Sequence, residues 1–186
     1  MINDITIKEL RYIINAIKEM HNIDFKDYAF TSFKYRIEKI LSDYNCKTTD
    51  DLIQKIQDTT GFDIFLRDIS VPETEMFRDP VVWRQLRDVI MPRLNYGDNI
   101  RIWLPDATSG EELYTLSIII REMQYEDRTA VIASCISKKQ IEQIRERVIT
   151  LKATEINNAN YSRFDEGKSL AEYYKTRSNN VLLDNS

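Results

Sequence analysis

The 186-residue sequence has few of the residues on which most metal and redox chemistry depends. It contains one histidine, His21, and two cysteines, Cys46 and Cys135. The cysteines lie far apart in the sequence and do not form a metal-binding pair, so neither a zinc site nor a histidine-based catalytic dyad is expected. We therefore expect no metal site, and a reduced, cytoplasmic protein.

Glycine and proline are also scarce, with four of each, so the chain has few flexible linkers. No run of about 18 apolar residues is present, and the N-terminus MINDITIKEL is too polar for a secretory signal. The formal net charge of −4 creates no field that would attract nucleic acid. We expect a globular protein that neither enters a membrane nor binds nucleic acid, and its oligomeric state stays open.

Residues 1–70 show helical patterns only, which predicts a small helical bundle. Thr6 and Glu9 have the spacing of a capping box at the first helix. Four helices are expected from their apolar positions: Ile7, Leu10, Ile14 and Ile17; Phe30, Phe33, Ile37 and Ile40 after Tyr28; Leu52, Ile53 and Ile56 after Thr48; and Phe62, Phe65, Leu66 and Ile69.

The segment SVPETEMFRDP interrupts this pattern, because Pro72 disfavours a helix before it. Asp79 and Pro80 predict a helix N-cap followed by proline at the first helical position. The apolar face of that helix is expected to comprise Val82, Leu86, Val89 and Ile90. We expect residues 71–92 to form a connecting motif and a helix.

From residue 93 the apolar period changes to that of an α/β domain. NIRIWLP and TAVIASCI have the pattern of strands, whereas GEELYTLSIIIREM and SKKQIEQIRERV have the pattern of helices, the second capped by Ser137 with Gln140. Strand, helix, strand and helix predict a right-handed βαβ unit with parallel strands. Ligands of such sheets bind at the carboxyl ends of the strands, here residues 105–110 and 134–137.

After residue 150 the pattern predicts only a short helix around Leu170 to Tyr174 and a strand near Val181. Two parallel strands cannot bury both of their faces. We therefore expect residues 93–186 to form an incomplete Rossmann-like domain, so that the whole chain is an α/β protein with a helical bundle in front.

Several candidate residues have a structural and a functional interpretation that the pattern alone leaves open. The helix start at Glu111 and Glu112 could bind a polar ligand group, or its carboxylates could only stabilise the helix end. Arg78 could contact a carboxylate ligand or pair with a neighbouring acid. Cys135 could be a nucleophile but is more typical of a small buried hydrophobe. The cations Lys34, Arg36 and Lys39 could be solvated or could guide an acidic partner.

Four segments together resemble one known family. They are IDFKDYAFTSFKYRIEKIL, DISVPETEMFRDPVVWRQL, IRIWLPDATSGEELYTLSI and, more weakly, VIASCISKKQIEQIRERVI. In order and spacing they are similar to the chemotaxis receptor methyltransferases, the CheR-type enzymes that transfer methyl groups from S-adenosyl-L-methionine to protein glutamates. The resemblance implies a helical domain, then a Rossmann-like methyltransferase domain with a small antiparallel subdomain after its second strand and helix.

The resemblance also implies roles for individual residues. The threonine and arginine of the family's T-x-F-F-R motif correspond to Thr74 and Arg78, and its S-T-G-E-E loop corresponds to Thr108, Ser109, Gly110, Glu111 and Glu112. These residues would surround the cofactor, and Arg78 would orient cofactor or substrate. Cys135 would face the ribose, and Lys34, Arg36 and Lys39 would dock a receptor-like protein with acidic methylation sites.

The sequence also departs from the family pattern, at positions that include Pro72, Asp106 and Cys135. Pro72 replaces a usual asparagine, Asp106 replaces a small residue after the first strand, and Cys135 replaces an acid that could accept hydrogen bonds from the ribose. The sequence therefore supports two hypotheses. One is an S-adenosylmethionine-dependent glutamate methyltransferase, and the alternative is a non-catalytic relative that keeps the fold for protein binding.

Overall fold

The computed structural model describes residues 5–70, 74–94, 99–177 and 180–183. The chain divides into two compact units, residues 1–72 and residues 73–186. Pro72, one of the departures from the family pattern, lies outside the described residues. Within the described part of the chain, no helix is long and apolar enough to cross a membrane.

The first unit is a bundle of four helices: α1 (Ile7–His21), α2 (Phe30–Asp43), α3 (Thr49–Lys55) and α4 (Thr59–Ile69). The predicted capping box is confirmed, since the Thr6 side chain accepts from the Glu9 N–H at 3.2 Å and Glu9 accepts from the Thr6 N–H at 2.9 Å. Thr48 and Asp51 cap α3 in the same way. The fully buried side chains of the core include Leu10, Ile13, Ile17, Phe33, Ile37, Leu52 and Phe65.

Two of the predicted apolar positions in this unit are wrong. Ile7 is 58% exposed, and Ile13 takes its expected place in the core with Leu10 and Ile17. Phe30 is also exposed, whereas Phe33, Ile37 and Ile40 are buried as predicted. Both residues stand at the first position of their helix, so the buried face of each helix begins after its first residue.

The helix after Pro80 is not regular. It comprises α5 (Pro80–Gln85), a π-helical turn (Leu86–Ile90) and α6 (Met91–Arg93). Pro80 stands at the first helical position as predicted, but the Asp79 side chain makes no capping hydrogen bond. The Met91 N–H reaches back to the Leu86 carbonyl, a spacing of five residues, and Pro92 has no N–H with which to continue an α-helical ladder.

The predicted apolar face of this helix is wrong at three of its four positions. Val82 is 62% exposed, and Val89 and Ile90 are also exposed, whereas Met91 is fully buried. The π turn explains the last two positions, because one wide turn rotates the residues in and after it relative to a period of 3.6. Val82 lies before the π turn, and its exposure has no such explanation.

The predicted βαβ unit is confirmed. Strands β1 (Ile100–Leu104) and β2 (Thr129–Ala133) are parallel, with Ile100 opposite Thr129 and Leu104 opposite Ala133. Helix α7 (Glu111–Glu122) connects them and packs Leu116 and Ile120 into a core with Ile100 and Met91. Helix α8 (Lys138–Glu146) follows β2 and is capped by Ser137 and Gln140 as predicted.

The remaining residues form a second, separate sheet. Its order is β3 (Val148–Thr150), β5 (Asn180–Leu183) and β4 (Tyr174–Arg177), with both pairs antiparallel. Helix α9 (Leu151–Phe164) connects β3 to a 3-10 turn at Leu170–Tyr173 that precedes β4. The short helix and the strand near Val181 are thus confirmed, as is the antiparallel subdomain that the family resemblance implied. The prediction that residues after 150 hold only these two elements is wrong, because α9 has 14 residues and β4 is a further strand. The asparagines of α9 weaken its helical pattern in the sequence. The α/β fold class with a leading helical unit is also confirmed.

Candidate functional site

The carboxyl ends of the two parallel strands are bonded side by side. The Ser134 N–H donates to the Leu104 carbonyl and the Ala107 N–H donates to the Ser134 carbonyl, both at 3.0 Å. The Ser134 hydroxyl also donates to the Pro105 carbonyl at 2.8 Å. Because the backbone on both sides is fixed at the same level, Asp106 and Cys135 are brought together at one rim, as the parallel arrangement predicted.

This proximity changes the chemistry of the Cys135 thiol. Burial raises its pKa first, the negative Asp106 carboxylate raises it further, and a hydrogen bond from the Ala107 backbone opposes both effects. A thiol with a raised pKa stays protonated and is a poor nucleophile. The structure therefore gives no support to Cys135 as a nucleophile, and it places the carboxylate of this rim on the β1 side.

The loop from β1 to α7 turns sharply at Gly110. Its φ of 100° lies in the left-handed region, and a Cβ there would lie 2.9 Å from the ring carbon Cζ of Tyr114 and 3.1 Å from Ile144 Cγ1. Tyr114 is itself fixed, because its hydroxyl donates to the Ile144 carbonyl at 2.8 Å. Glycine is thus required both by the backbone conformation and by the close approach of α8.

The two glutamates at the start of α7 are in different situations. Glu111 is only 7% exposed, and one of its carboxylate oxygens accepts a hydrogen bond from the Ser109 hydroxyl. The Oε2 atom of Glu112 is buried, and among the described residues no group donates a hydrogen bond to it. A buried carboxylate oxygen without a donor is costly, so it marks a place where a ligand could supply one.

The segment that corresponds to the T-x-F-F-R motif, in which Met76 replaces one phenylalanine and Phe77 matches the other, forms a tight turn from Thr74 to Asp79 that we call the motif turn. Thr74 is half-buried, Met76 and Phe77 are fully buried, and Arg78 is exposed. The Phe77 N–H donates to the Thr115 hydroxyl oxygen at 3.0 Å. Since Thr115 lies one helical turn after Glu111, the structure brings the motif turn to the beginning of α7.

Two more residues that contact the motif turn come from α9. Asn157 Oδ1 accepts from the Met76 N–H at 2.9 Å, and Asn160 Nδ2 donates to the Met76 carbonyl at 3.1 Å. Sequence analysis missed both residues, and it missed Thr115. Their partners lie 38 to 84 residues away, and no local pattern encodes such pairing.

The candidate docking residues lie on α2 in the first unit and do not share one environment. The Arg36 guanidinium donates to the Ile69 carbonyl at 2.9 Å and to the Ser70 carbonyl, so it caps the end of α4. Lys34 lies 3.7 Å from the Glu38 carboxylate. Lys39 is exposed. Of these three cations, Lys39 is thus the most accessible.

A helical unit followed by a parallel strand, a glycine-containing turn and a helix defines an α/β protein in which the carboxyl ends of the strands are the expected place for a ligand. Comparison with known sequences agrees with this class. Residues 8–70 match the family described as "CheR methyltransferase, all-alpha domain", and residues 72–178 match "CheR methyltransferase, SAM binding domain". The chain belongs to the CheR methyltransferase family, and the resemblance predicted from its sequence is confirmed.

Individual relatives support the same assignment. A candidate methyltransferase of Pseudomonas putida, Cher3, is 28% identical over 96% of this chain and 66% of its own length. Chemotaxis protein methyltransferase 1 of Pseudomonas aeruginosa is 31% identical over 53% of this chain and 37% of its own length. The chemotaxis protein methyltransferase of Borreliella burgdorferi is 24% identical over 78% of the chain. The chain thus spans less than two thirds of the relatives it matches first.

Proposed function

We propose that the chain binds S-adenosyl-L-methionine between the β1–α7 loop and the motif turn. The observation that carries this proposal is the buried Glu112 Oε2 without a donor in the described part of the chain. The methionine part of the cofactor bears an ammonium group, whose N–H groups could donate to this oxygen. A charge-assisted hydrogen bond would remove the cost of burying the carboxylate.

The other residues around Glu112 fit the same ligand. Gly110 turns the chain into α7, and the free N–H groups and the positive dipole end at the start of this helix favour the carboxylate of the methionine part. Ser109, Glu111 and Thr74 would line this part of the site. Cys135 would face the ribose, but its thiol is only a weak hydrogen-bond acceptor. On this rim the carboxylate belongs to the neighbouring Asp106, whose negative charge acts on the Cys135 thiol.

We further propose that the bound cofactor serves methyl transfer to glutamate carboxylates of receptor-like proteins in the cytoplasm. S-adenosylmethionine supplies an electrophilic methyl group on a sulfonium. A glutamate with a pKa near 4.3 is already ionised at neutral pH, so its oxygen can form the new bond to the methyl carbon while the carbon–sulfur bond breaks. No proton has to move, which suits a chain with a single histidine.

The contribution of this chain would then be alignment. Arg78 is exposed beside the motif turn and could orient the incoming carboxylate through paired N–H donors. Holding the two reactants in line is worth about 7–11 kcal/mol in well-oriented systems. Lys39, with contributions from Lys34 and Arg36, is the proposed docking surface for the acidic receptor segment.

Calorimetric titration of the chain with S-adenosylhomocysteine, the product of the transfer, tests cofactor binding. Glu112→Gln should weaken binding by about 10- to 100-fold, because a hydrogen bond to a charged group is worth about 1.5–3 kcal/mol. Glu155→Gln removes an exposed carboxylate from α9 and is the matched control. An absence of heat at millimolar ligand with the unmodified chain would overturn the proposal.

The second candidate is a non-catalytic CheR-like module that has lost the cofactor and binds protein. The observation in its favour is the rim itself, where a protonated thiol occupies the β2 side and the Asp106 carboxylate projects from the β1 side. A chain that binds an acidic receptor segment, loses that binding on Lys39→Glu, and shows no response to S-adenosylhomocysteine would favour this function over the enzyme.

A further inference from the structure

The motif turn has an unusual backbone. Phe77 and Asp79 have φ values of 55° and 56°, in the left-handed region that residues with a side chain seldom occupy. Phe77 is also fully buried, so its conformation cannot be relieved by contact with solvent. Strained residues of this kind persist only where the surrounding structure holds them, and they cluster at functional sites.

Three side chains hold the turn by its backbone. Thr115 accepts the Phe77 N–H at 3.0 Å, Asn157 accepts the Met76 N–H at 2.9 Å, and Asn160 donates to the Met76 carbonyl at 3.1 Å. All three are buried, with Asn157 only 1% exposed. The turn therefore receives two acceptors and one donor from two different helices, which fixes the peptide groups on both sides of Met76.

The same face of α9 also holds the turn through its rings. Asn157, Asn160, Tyr161 and Phe164 follow the spacing of one helical face. The Phe77 ring lies 4.8 Å from the centroids of both the Tyr161 and Phe164 rings. Phe77 therefore packs against the two rings, whereas the asparagines contact the backbone of the turn through hydrogen bonds.

The Asn157 side chain has a free-energy cost of burial that an apolar side chain would not have. Asn157 must present its oxygen to the Met76 N–H, so its Nδ2 faces inward, where it is buried and has no acceptor among the described residues. An apolar residue at this position would avoid that cost, but it would leave the turn free to choose another backbone conformation. We attribute the presence of the Asn157 amide to the backbone conformation that it fixes at Met76 and Phe77.

We propose that Thr115, Asn157 and Asn160 are positioning residues that hold the motif turn so that Thr74 and Arg78 can face the cofactor loop. This inference rests on the proposed cofactor binding. It assigns to α9, which lies between β3 and β4 of the antiparallel sheet, the task of shaping one wall of the site. None of the three residues needs to touch the cofactor for this purpose.

The test uses the 186-residue chain and a pair of variants at Thr115. Thr115→Val keeps the shape of the side chain but removes the acceptor, whereas Thr115→Ser keeps the acceptor. Ser117→Ala is the matched control on the same helix, because the exposed Ser117 hydroxyl donates to the Leu113 carbonyl of its own helix, at 2.8 Å. Asn157→Ala, with Asn158→Ala as its neighbour control, tests the second anchor independently.

Two measurements separate positioning from general stability. Amide hydrogen exchange by NMR should show faster exchange at Phe77 in Thr115→Val and at Met76 in Asn157→Ala, whereas Ser117→Ala leaves both protected. Calorimetry should show about tenfold weaker binding of S-adenosylhomocysteine in Thr115→Val, the change expected for losing one buried hydrogen bond, and recovery to within about threefold in Thr115→Ser.

The outcomes separate this inference from the proposed function. If the unmodified chain does not bind S-adenosylhomocysteine, the proposed function fails and this inference fails with it. If the unmodified chain binds, while Thr115→Val frees the Phe77 amide and binds equally well, only the positioning role is overturned. Equal weakening by Thr115→Val and Ser117→Ala would also overturn it, because Ser117 does not contact the turn.

Discussion

Gly110 offers the sharpest test of the loop geometry. In Gly110→Ala the new Cβ would lie 2.9 Å from Tyr114 Cζ, 3.0 Å from the Tyr114 hydroxyl and 3.1 Å from Ile144 Cγ1. The Tyr114 ring cannot easily move aside, because its hydroxyl donates to the Ile144 carbonyl at 2.8 Å. The substitution should therefore destabilise the second unit through both the backbone and the contact between α7 and α8.

The two contributions can be separated with Gly167. Its φ of 91° is close to the 100° of Gly110, but within the part of the chain that the structure describes no neighbouring atom lies within 4 Å of a Cβ built there. Gly167→Ala should cost about 1–2 kcal/mol, the penalty for a left-handed residue with a Cβ. Gly110→Ala adds overpacking of about 1–3 kcal/mol and should cost about 2–5 kcal/mol in total.

Tryptophan fluorescence in urea measures the unfolding of residues 73–186, because both tryptophans, Trp83 and Trp103, lie in this part of the chain. With a slope of about 2 kcal/mol per molar urea, the extra cost of Gly110→Ala would lower the midpoint by about 0.5–1.5 M relative to Gly167→Ala. Equal midpoints for the two variants would refute the close packing of the loop against Tyr114 and Ile144.

Three other predictions concern the rim and the core of the second unit. Cys135→Asp should strengthen S-adenosylhomocysteine binding by about tenfold if this position faces the ribose, and unchanged affinity in calorimetry would show that it does not. Asp106→Asn should lower the pKa of the Cys135 thiol and speed its reaction with a disulfide reagent at pH 8 in a Cys46→Ser background; an unchanged rate would contradict the contact. Burial, followed by the hydrogen bond to Glu122, raises the pKa of Tyr161 above its ordinary 10.0, so the folded form binds more protons than the unfolded form at alkaline pH. The free energy of unfolding should thus fall as the pH rises above about 10, and less steeply in Tyr161→Phe.

Local signals in the sequence were enough to predict most of the elements. The Thr6–Glu9 and Ser137–Gln140 capping boxes form as predicted, and the alternation of NIRIWLP gives β1. Such signals depend on residues within one or two helical turns of each other. They were unreliable where tertiary contacts override the period, as at the exposed Ile7 and in the π turn before Met91.

The candidate site was predictable only in part, for the same reason. The loop and the motif turn could be found as contiguous stretches with a characteristic composition. The side chains that join them could not, because Thr115, Asn157 and Asn160 act through backbone groups of Met76 and Phe77 that any residue could provide. The pairing is therefore invisible in the sequence of either partner.

The two ends of helix α7 have different roles. The last residue stabilises the framework of the site, whereas the first turn carries the groups of its proposed chemistry. At its last residue, Glu122 Oε1 accepts from the Tyr161 hydroxyl at 2.6 Å and from Tyr173 at 2.9 Å, and it pairs with Lys168 at 3.1 Å. These contacts fix α9 against α7 and so help to place the asparagines that hold the motif turn.

None of the contacts made by Glu122 involves a residue that would touch the cofactor. The turn would keep its shape even in a chain that had lost the ligand, so the family fold by itself does not distinguish enzyme from binding module. The discriminating groups are at the other end of α7, where Glu112 has a buried oxygen without a donor in the described chain and Asp106 faces Cys135 across the strand ends. A buried carboxylate oxygen without a donor is costly, and a cationic ligand would remove that cost. The proposed cofactor site therefore depends on this end of α7, and Glu112→Gln is the substitution that tests it.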